Sequence, residues 1–285
     1  MKIEELSRAS VISDHADPEH WPLMARYWRH IGSPLRPAKG DLEAYRRYAS
    51  EVVETNATPR ILLLGVTPEI YSLPWPKRRD FLAVDWTRAM IDYVWPGSSH
   101  EVLEANWLQL PLGESSRDVA LCDGGLHLLK YPFEQEALVE QLHKVISPSG
   151  RCIFRLFALP AEREDQGNVL ADLFLGQIPN LNVLKLRLGM ALQISPREGV
   201  EVRKIWSLLR GQTDDWSELA ARLGWSTDHL TAVDAYRDSN SRYHFISIDQ
   251  ASELFCRGGR FREVGRRYSS YVLGERCPVI SFERQ

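Results

Sequence analysis

Short apolar runs separated by amphipathic stretches fill residues 60–157, an alternation that predicts a sheet whose strands are joined by helices. Runs at 61–64, 81–84, 101–104, 119–122 and 152–157 read as five strands. Between them, Thr67 stands as a helix cap before Pro68, and Thr87 caps a second helix that Pro96-Gly97 stops. Pro74 and Pro76 leave the first of these helices barely two turns. The clearest amphipathic helix covers 133–146 and ends at Ser147-Pro148-Ser149-Gly150. Short links between alternating strands and helices imply right-handed crossovers and a parallel sheet.

The pattern changes on both sides. Residues 21–54 carry apolar and aromatic positions at helical spacing, broken by Gly32-Ser33-Pro34-Leu35-Arg36-Pro37, which predicts two helices and a stiff elbow. From about 160 to 239 strand signals vanish, and helical spacing returns at 169–175, 181–192, 200–209, 216–223 and 227–236. That is too much chain for a loop and is expected to cover something. The last segment predicts a helix around 251–256 and two strands, 261–268 and 278–283. The expectation is therefore an α/β, doubly wound, mostly parallel seven-stranded sheet. Residues 1–58 form a helical cap, 59–158 and 241–285 the core, and 159–240 a helical insertion or lid.

Composition narrows the partners. With 285 residues and 44% hydrophobic content the chain can bury a full core. A net charge of -3 and a pI near 6.3 give no overall attraction to phosphate backbones or anionic membranes. Arg257, Arg260, Arg262, Arg266 and Arg267 crowd together and are read as a solvated basic face rather than an anion grip. Cys122, Cys152, Cys256 and Cys277 show no C-x-x-C pairing, so reduced, mostly buried thiols and a cytoplasmic location are expected. The segment Met1-Lys2-Ile3-Glu4-Glu5-Leu6 lacks an apolar leader core, and no run approaches the ~20 residues of a membrane span.

The candidate chemistry sits between the first two strands. Ile61-Leu62-Leu63-Leu64 breaks at Gly65-Val66-Thr67-Pro68-Glu69, and Phe81-Leu82-Ala83-Val84 ends on Asp85. A buried strand, a turn with a bare glycine and a carboxylate closing the next strand make a nucleoside-binding arrangement. Asp85 can accept two hydrogen bonds from a ribose diol, and Gly65 lets a ligand approach the backbone. Three further segments follow in order. Ala105-Asn106-Trp107-Leu108-Gln109-Leu110-Pro111-Leu112 precedes Arg117-Asp118-Val119-Ala120-Leu121-Cys122-Asp123, and Leu142-His143-Lys144-Val145-Ile146-Ser147-Pro148-Ser149-Gly150 closes the series.

Taken together, the four segments resemble the class I S-adenosylmethionine-dependent methyltransferases over residues 60–158 and, more loosely, 245–285. The resemblance implies a Rossmann-like fold, S-adenosyl-L-methionine as cofactor, and methyl transfer by in-line displacement driven by positioning. It implies cofactor contacts from Gly65, Thr67, Glu69, Asp85, Trp86, Asn106, Trp107 and Asp123, with Asn106 at the adenine and Asp123 at the amino group. His127 is the candidate general base, and Tyr27, Arg36 and Tyr71 are candidate substrate contacts. Asp123-Gly124-Gly125-Leu126 stands where nitrogen methylation of adenine or glutamine uses N-P-P-Y. The expected acceptor is therefore a small molecule, with no nucleic acid, membrane or metal, and a homodimer is left open. The missing G-x-G-x-x-G argues against a nicotinamide cofactor. Only Gly65 remains of the family's glycine-rich loop, with Thr67 and Glu69 at usual glycine positions. That departure motivates a second reading, a non-catalytic nucleoside-binding or scaffolding protein on the same fold.

Overall fold

The computed structural model describes residues 20–213 and 215–285. Met1 to Leu6 and most of the proposed cap's first third lie outside the described residues. Five parallel strands, β1 (Arg60–Leu64), β2 (Asp80–Asp85), β3 (Val102–Glu104), β4 (Arg117–Asp123) and β5 (Ile146–Arg155), form most of one sheet. A short pair, β6 (Val200–Glu201) and β7 (Arg242–Tyr243), lies apart from it. The sheet is completed by β8 (Phe261–Arg267) and β9 (Val279–Arg284), in the order β3-β2-β1-β4-β5-β9-β8, with β9 antiparallel to both neighbours. The seven expected strands are all present.

Alternation explains the unbroken apolar runs. Ile61 and Leu63 of β1, Val119 and Leu121 of β4, and Ile153 of β5 point into one core. Leu62, Leu64, Ala120, Cys122, Cys152 and Phe154 point into another. Since successive side chains leave opposite faces of a strand, a sheet covered on both sides needs apolar residues at every position. The first face is covered by α2 (Lys39–Val53), through Ala44, Tyr45, Tyr48, Ala49 and Val53. The second is covered by α5 (Phe133–Val145) and α11 (Ile248–Cys256), through Leu138, Val139, Leu142, Ala251, Leu254 and Phe255.

The remaining helices frame one end of the sheet. The N-terminal α1 (His20–Arg26) packs on α4 (Arg88–Val94), and the elbow continues through a 3-10 turn, Trp28–His30. The helix after β1 is α3 (Pro68–Tyr71), a single turn, shorter than the two that the prolines allow. Thr67 and Thr87 take the extended cap positions, but neither side chain makes the cap hydrogen bond. Helices α6 (Gln166–Phe174), α7 (Leu181–Leu192), α8 (Val202–Arg210), α9 (Trp216–Leu223) and α10 (Thr227–Thr231) share a separate core with Met24, Ile31 and Phe157. Strand signals do not vanish entirely from this region, because Val200 pairs with Tyr243 where a helix was expected to begin.

Four of the clustered arginines meet carboxylates. Arg257 pairs with Glu136 and Glu253, Arg260 with Glu140, Arg262 with Glu283 and Arg266 with Glu263. The four cysteines are free thiols, three of them buried. Among the described residues no helix is long and apolar enough to cross a membrane.

Candidate active site

Connections from β1 and β4 leave in opposite directions across the sheet, so a crevice opens at their carboxyl ends. A cavity of about 130 Å³ lies there, its wall including Leu64, Gly65, Asp85, Trp107, Gly125 and His127. Gly65 has φ +89°, a conformation that L side chains rarely adopt, and its amide donates to the Val84 carbonyl at 2.8 Å. A Cβ on Gly65 would stand 4.0 Å from Oδ2 of Asp85 and 3.7 Å from the Trp107 ring. The bare backbone and the carboxylate therefore face the same space.

Asp85 is only 6% exposed, and its Oδ1 accepts from the Thr87 amide at 2.8 Å. Burial pushes its carboxyl up to about 7, against the opposing pull of the Thr87 amide and hydroxyl and the Trp86 and Val66 amides. The carboxylate is under-solvated and held in place by neutral donors, with no cation beside it among these causes. Thr67 and Trp86 also line the cavity, and Trp107 is fixed there by its Nε1 donating to the Val84 carbonyl at 2.7 Å.

Other expected contacts are engaged elsewhere. Asn106 is exposed and outside the lining, where its Oδ1 accepts from the Leu108 amide at 2.9 Å and caps the turn Trp107–Gln109. Asp123 lines the cavity, but its two oxygens accept from Nε and Nη2 of Arg155 at 2.5 and 3.0 Å, so its charge is neutralised rather than offered to an amino group. Glu69 takes both Nε and Nη2 of Arg36, at 2.6 and 2.5 Å, and neither residue lines the cavity. Tyr71 belongs to an aromatic cluster with Phe81 and Trp95 and donates to Glu101 at 2.7 Å. Tyr27 packs against the insertion's core, so neither tyrosine lines the cavity as a substrate contact.

His127 does line it, stacked on Phe245 with the rings 4° from parallel at 5.0 Å, edge-on to Tyr243 and tilted against Phe157. Burial, then the neighbouring His244, hold its pKa down to about 3, while the Gly124 carbonyl pulls the other way. An imidazole held this low is a weak proton acceptor at neutral pH. It remains a neutral hydrogen-bonding group.

Several lining residues were not singled out from the sequence: Trp21, Met24, Phe157, Tyr236 and Tyr243. Arg155 was also missed, although a lone arginine inside the apolar run Cys152-Ile153-Phe154-Arg155-Leu156-Phe157 was the visible signal. It is fully buried, donating to Asp123, to the Pro34 carbonyl at 2.6 Å and to the Tyr271 hydroxyl at 3.1 Å, so it ties the elbow to the strand ends. Tyr45 donates to the Cys122 carbonyl at 2.7 Å and accepts from the Arg155 amide, completing that network.

Residues 62–154 match the family model described as Methyltransferase domain. No curated protein matches the sequence. Among solved structures, the fold is similar to a protein described as a putative Zn-dependent alcohol dehydrogenase from Rhodobacter sphaeroides, with 12% identity, TM-score 0.62, and coverage of 94% of this chain and 98% of that one. At this identity the likeness concerns fold alone. The N-methyltransferase NodS from Bradyrhizobium japonicum, in complex with S-adenosyl-L-homocysteine, aligns with 10% identity and TM-score 0.49 over 94% of this chain and 99% of that chain. A putative S-adenosylmethionine-dependent methyltransferase from Listeria monocytogenes aligns with 13% identity and TM-score 0.48 over 87% and 100%. Among the described residues no group of three or more His, Cys, Asp or Glu is placed to hold a metal ion.

Proposed function

We propose that this chain is a class I S-adenosylmethionine-dependent methyltransferase, transferring methyl to a small-molecule acceptor held in the cavity at the ends of β1 and β4. The observation that carries this reading is the pairing of Gly65 and Asp85 across one cavity, with a carboxyl raised to about 7 by lack of solvation. The residues fit the cofactor: Asp85 is an acceptor for the ribose diol, Gly65 leaves backbone bare, and Trp86 and Trp107 offer rings at the cavity's edge. When bound, the cofactor supplies an electrophilic methyl on a sulfonium. Transfer of that methyl to an acceptor lone pair would leave the carbon–sulfur electron pair on sulfur and release the acceptor's proton, while Asp85 and the bare backbone at Gly65 would hold the donor.

Positioning is the main task left to the chain, because the donor is already activated. Trp21, Met24, Trp28, Ile31 and Leu35 roof the cavity, and the buried Arg155 network holds their elbow against β4 and β5. At about 130 Å³ the cavity, open on one side, is smaller than an ordinary ligand pocket of ~300 Å³ or more, and in this reading the roof draws back to admit cofactor. In this reading the described residues of 20–58 and 159–240 enclose the acceptor, 59–158 and 241–285 hold the cofactor, and the free thiols fit a reducing cytoplasm.

Calorimetry with S-adenosylmethionine tests the reading. Saturable binding weakened by one to two orders of magnitude in Asp85→Ala is the expected result, from the ~1.5–3 kcal/mol of a charge-assisted hydrogen bond. Identical behaviour of wild type and Asp85→Ala would remove it. The contracted cavity also favours a second reading, a non-catalytic nucleoside-binding protein, which requires binding without transfer of labelled methyl to any acceptor.

A further inference from the structure

The cavity's wall changes character away from Gly65 and Asp85. There it consists of Trp21, Trp28, His127, Phe157, Tyr236 and Tyr243, with aliphatic residues between them. None of the described lining residues is a lysine or arginine, and the only lining acids are Asp85 and Asp123. Asp123 is neutralised by Arg155, and Arg36 is held by Glu69 outside the lining. Lys185 of the insertion, whose ammonium lies 4.9 Å from the Tyr236 ring centre, is itself outside the lining.

Two solvent-shielded polar atoms of these lining residues, Nε1 of Trp28 and Nδ1 of His127, lack a hydrogen bond of full geometry among the described residues, the Gly124 carbonyl being the backbone acceptor beside the His127 ring. His127 is 8% exposed and surrounded by the rings of Phe157, Tyr243 and Phe245. Buried polar groups left unpaired are costly, and a pair of them in one wall calls for an occupant that hydrogen-bonds.

We infer that the methyl acceptor is an uncharged, flat aromatic molecule carrying an O–H or N–H nucleophile that His127 and Trp28 orient among the rings of Phe157, Tyr236 and Tyr243. This deepens the methyltransferase reading and rests on it. Aromatic walls favour flat π-surfaces through offset and edge contacts. An anion meets no lining cation, and a cation is placed beside the donor's sulfonium with Asp123 neutralised by Arg155 and Asp85 given to the ribose. The neutral imidazole accepts the acceptor's O–H or N–H and directs its lone pair along the line of attack. The released proton passes to water.

The test uses the full chain saturated with S-adenosyl-L-homocysteine, whose binding is measured first by calorimetry. One- and two-ring phenols are then titrated against their carboxylated and trimethylammonium analogues, read by tryptophan fluorescence, with labelled-methyl transfer measured in parallel. The expected result is at least tenfold tighter binding of the neutral phenols than of either charged series. A second comparison sets each phenol against its methyl ether: a preference in wild type that shrinks below twofold in His127→Phe supports the hydrogen bond. Charged analogues binding as well as the neutral ones would overturn the inference, as would no phenol binding to a chain that does bind S-adenosyl-L-homocysteine. Failure of the cofactor titration itself would bring down the methyltransferase reading, and this inference with it.

Discussion

Replacing Asp85 with asparagine should stabilise the chain while weakening its grip on the cofactor. The carboxyl rises from 3.8 to about 7 in the folded state because burial strips its water. At ~1.4 kcal/mol per unit, holding it ionised costs the folded chain about 4 kcal/mol at pH 8. Between pH 4 and 7 the folded state keeps this proton while the unfolded state has lost it, so the group's contribution to stability falls as pH rises through that window and is level above it. Asp85→Asn removes this slope. The amide oxygen still accepts from Thr87, but the new NH2 group lacks an assured acceptor and gives back ~1–3 kcal/mol, leaving a net gain of about 1–3 kcal/mol at pH 8. Cofactor affinity should move oppositely, dropping ten- to a hundredfold with the lost charged acceptor. Denaturant titrations at pH 5 and pH 8 measure the first effect, and calorimetry at pH 8 the second. A variant less stable than wild type at pH 8, with an unchanged pH slope, would refute the reasoning and leave Asp85 as a helix-start carboxylate for α4.

Three other outcomes follow from the same geometry. Arg155→Met leaves Asp123 and the nearby Asp41 carboxylate buried without their cation, and chemical denaturation should show a loss of about 3–5 kcal/mol; a loss below 1 kcal/mol would mean the network is dispensable. Gly65→Ala forces φ +89° on a residue with a Cβ and should cost ~1–3 kcal/mol by thermal melting, with weaker cofactor binding alongside. His127 should show no ionisation between pH 5 and 8 by NMR, since its pKa sits near 3, and an imidazole titrating at 6–7 would restore it as a general base.

Local order along the chain was legible in the residues alone. Runs such as 61–64 and 119–122 read as strands, and Pro68, Pro74 and Pro76 confined the helix between them to barely two turns, of which one forms. The turn at Gly65 and the carboxylate at Asp85 were visible for the same reason: backbone conformation and strand ends are written locally. Tertiary structure decided what those groups meet. Asp123 looked available until Arg155, from the next strand, took both its oxygens. Asn106 looked like an adenine contact until its own turn claimed the side chain. His127 looked like a base, yet Tyr243 and Phe245, more than a hundred residues later, enclose it and hold it neutral. Burial, and the pKa and partner choices that burial sets, arise from contacts between distant segments, and no short window of sequence contains them.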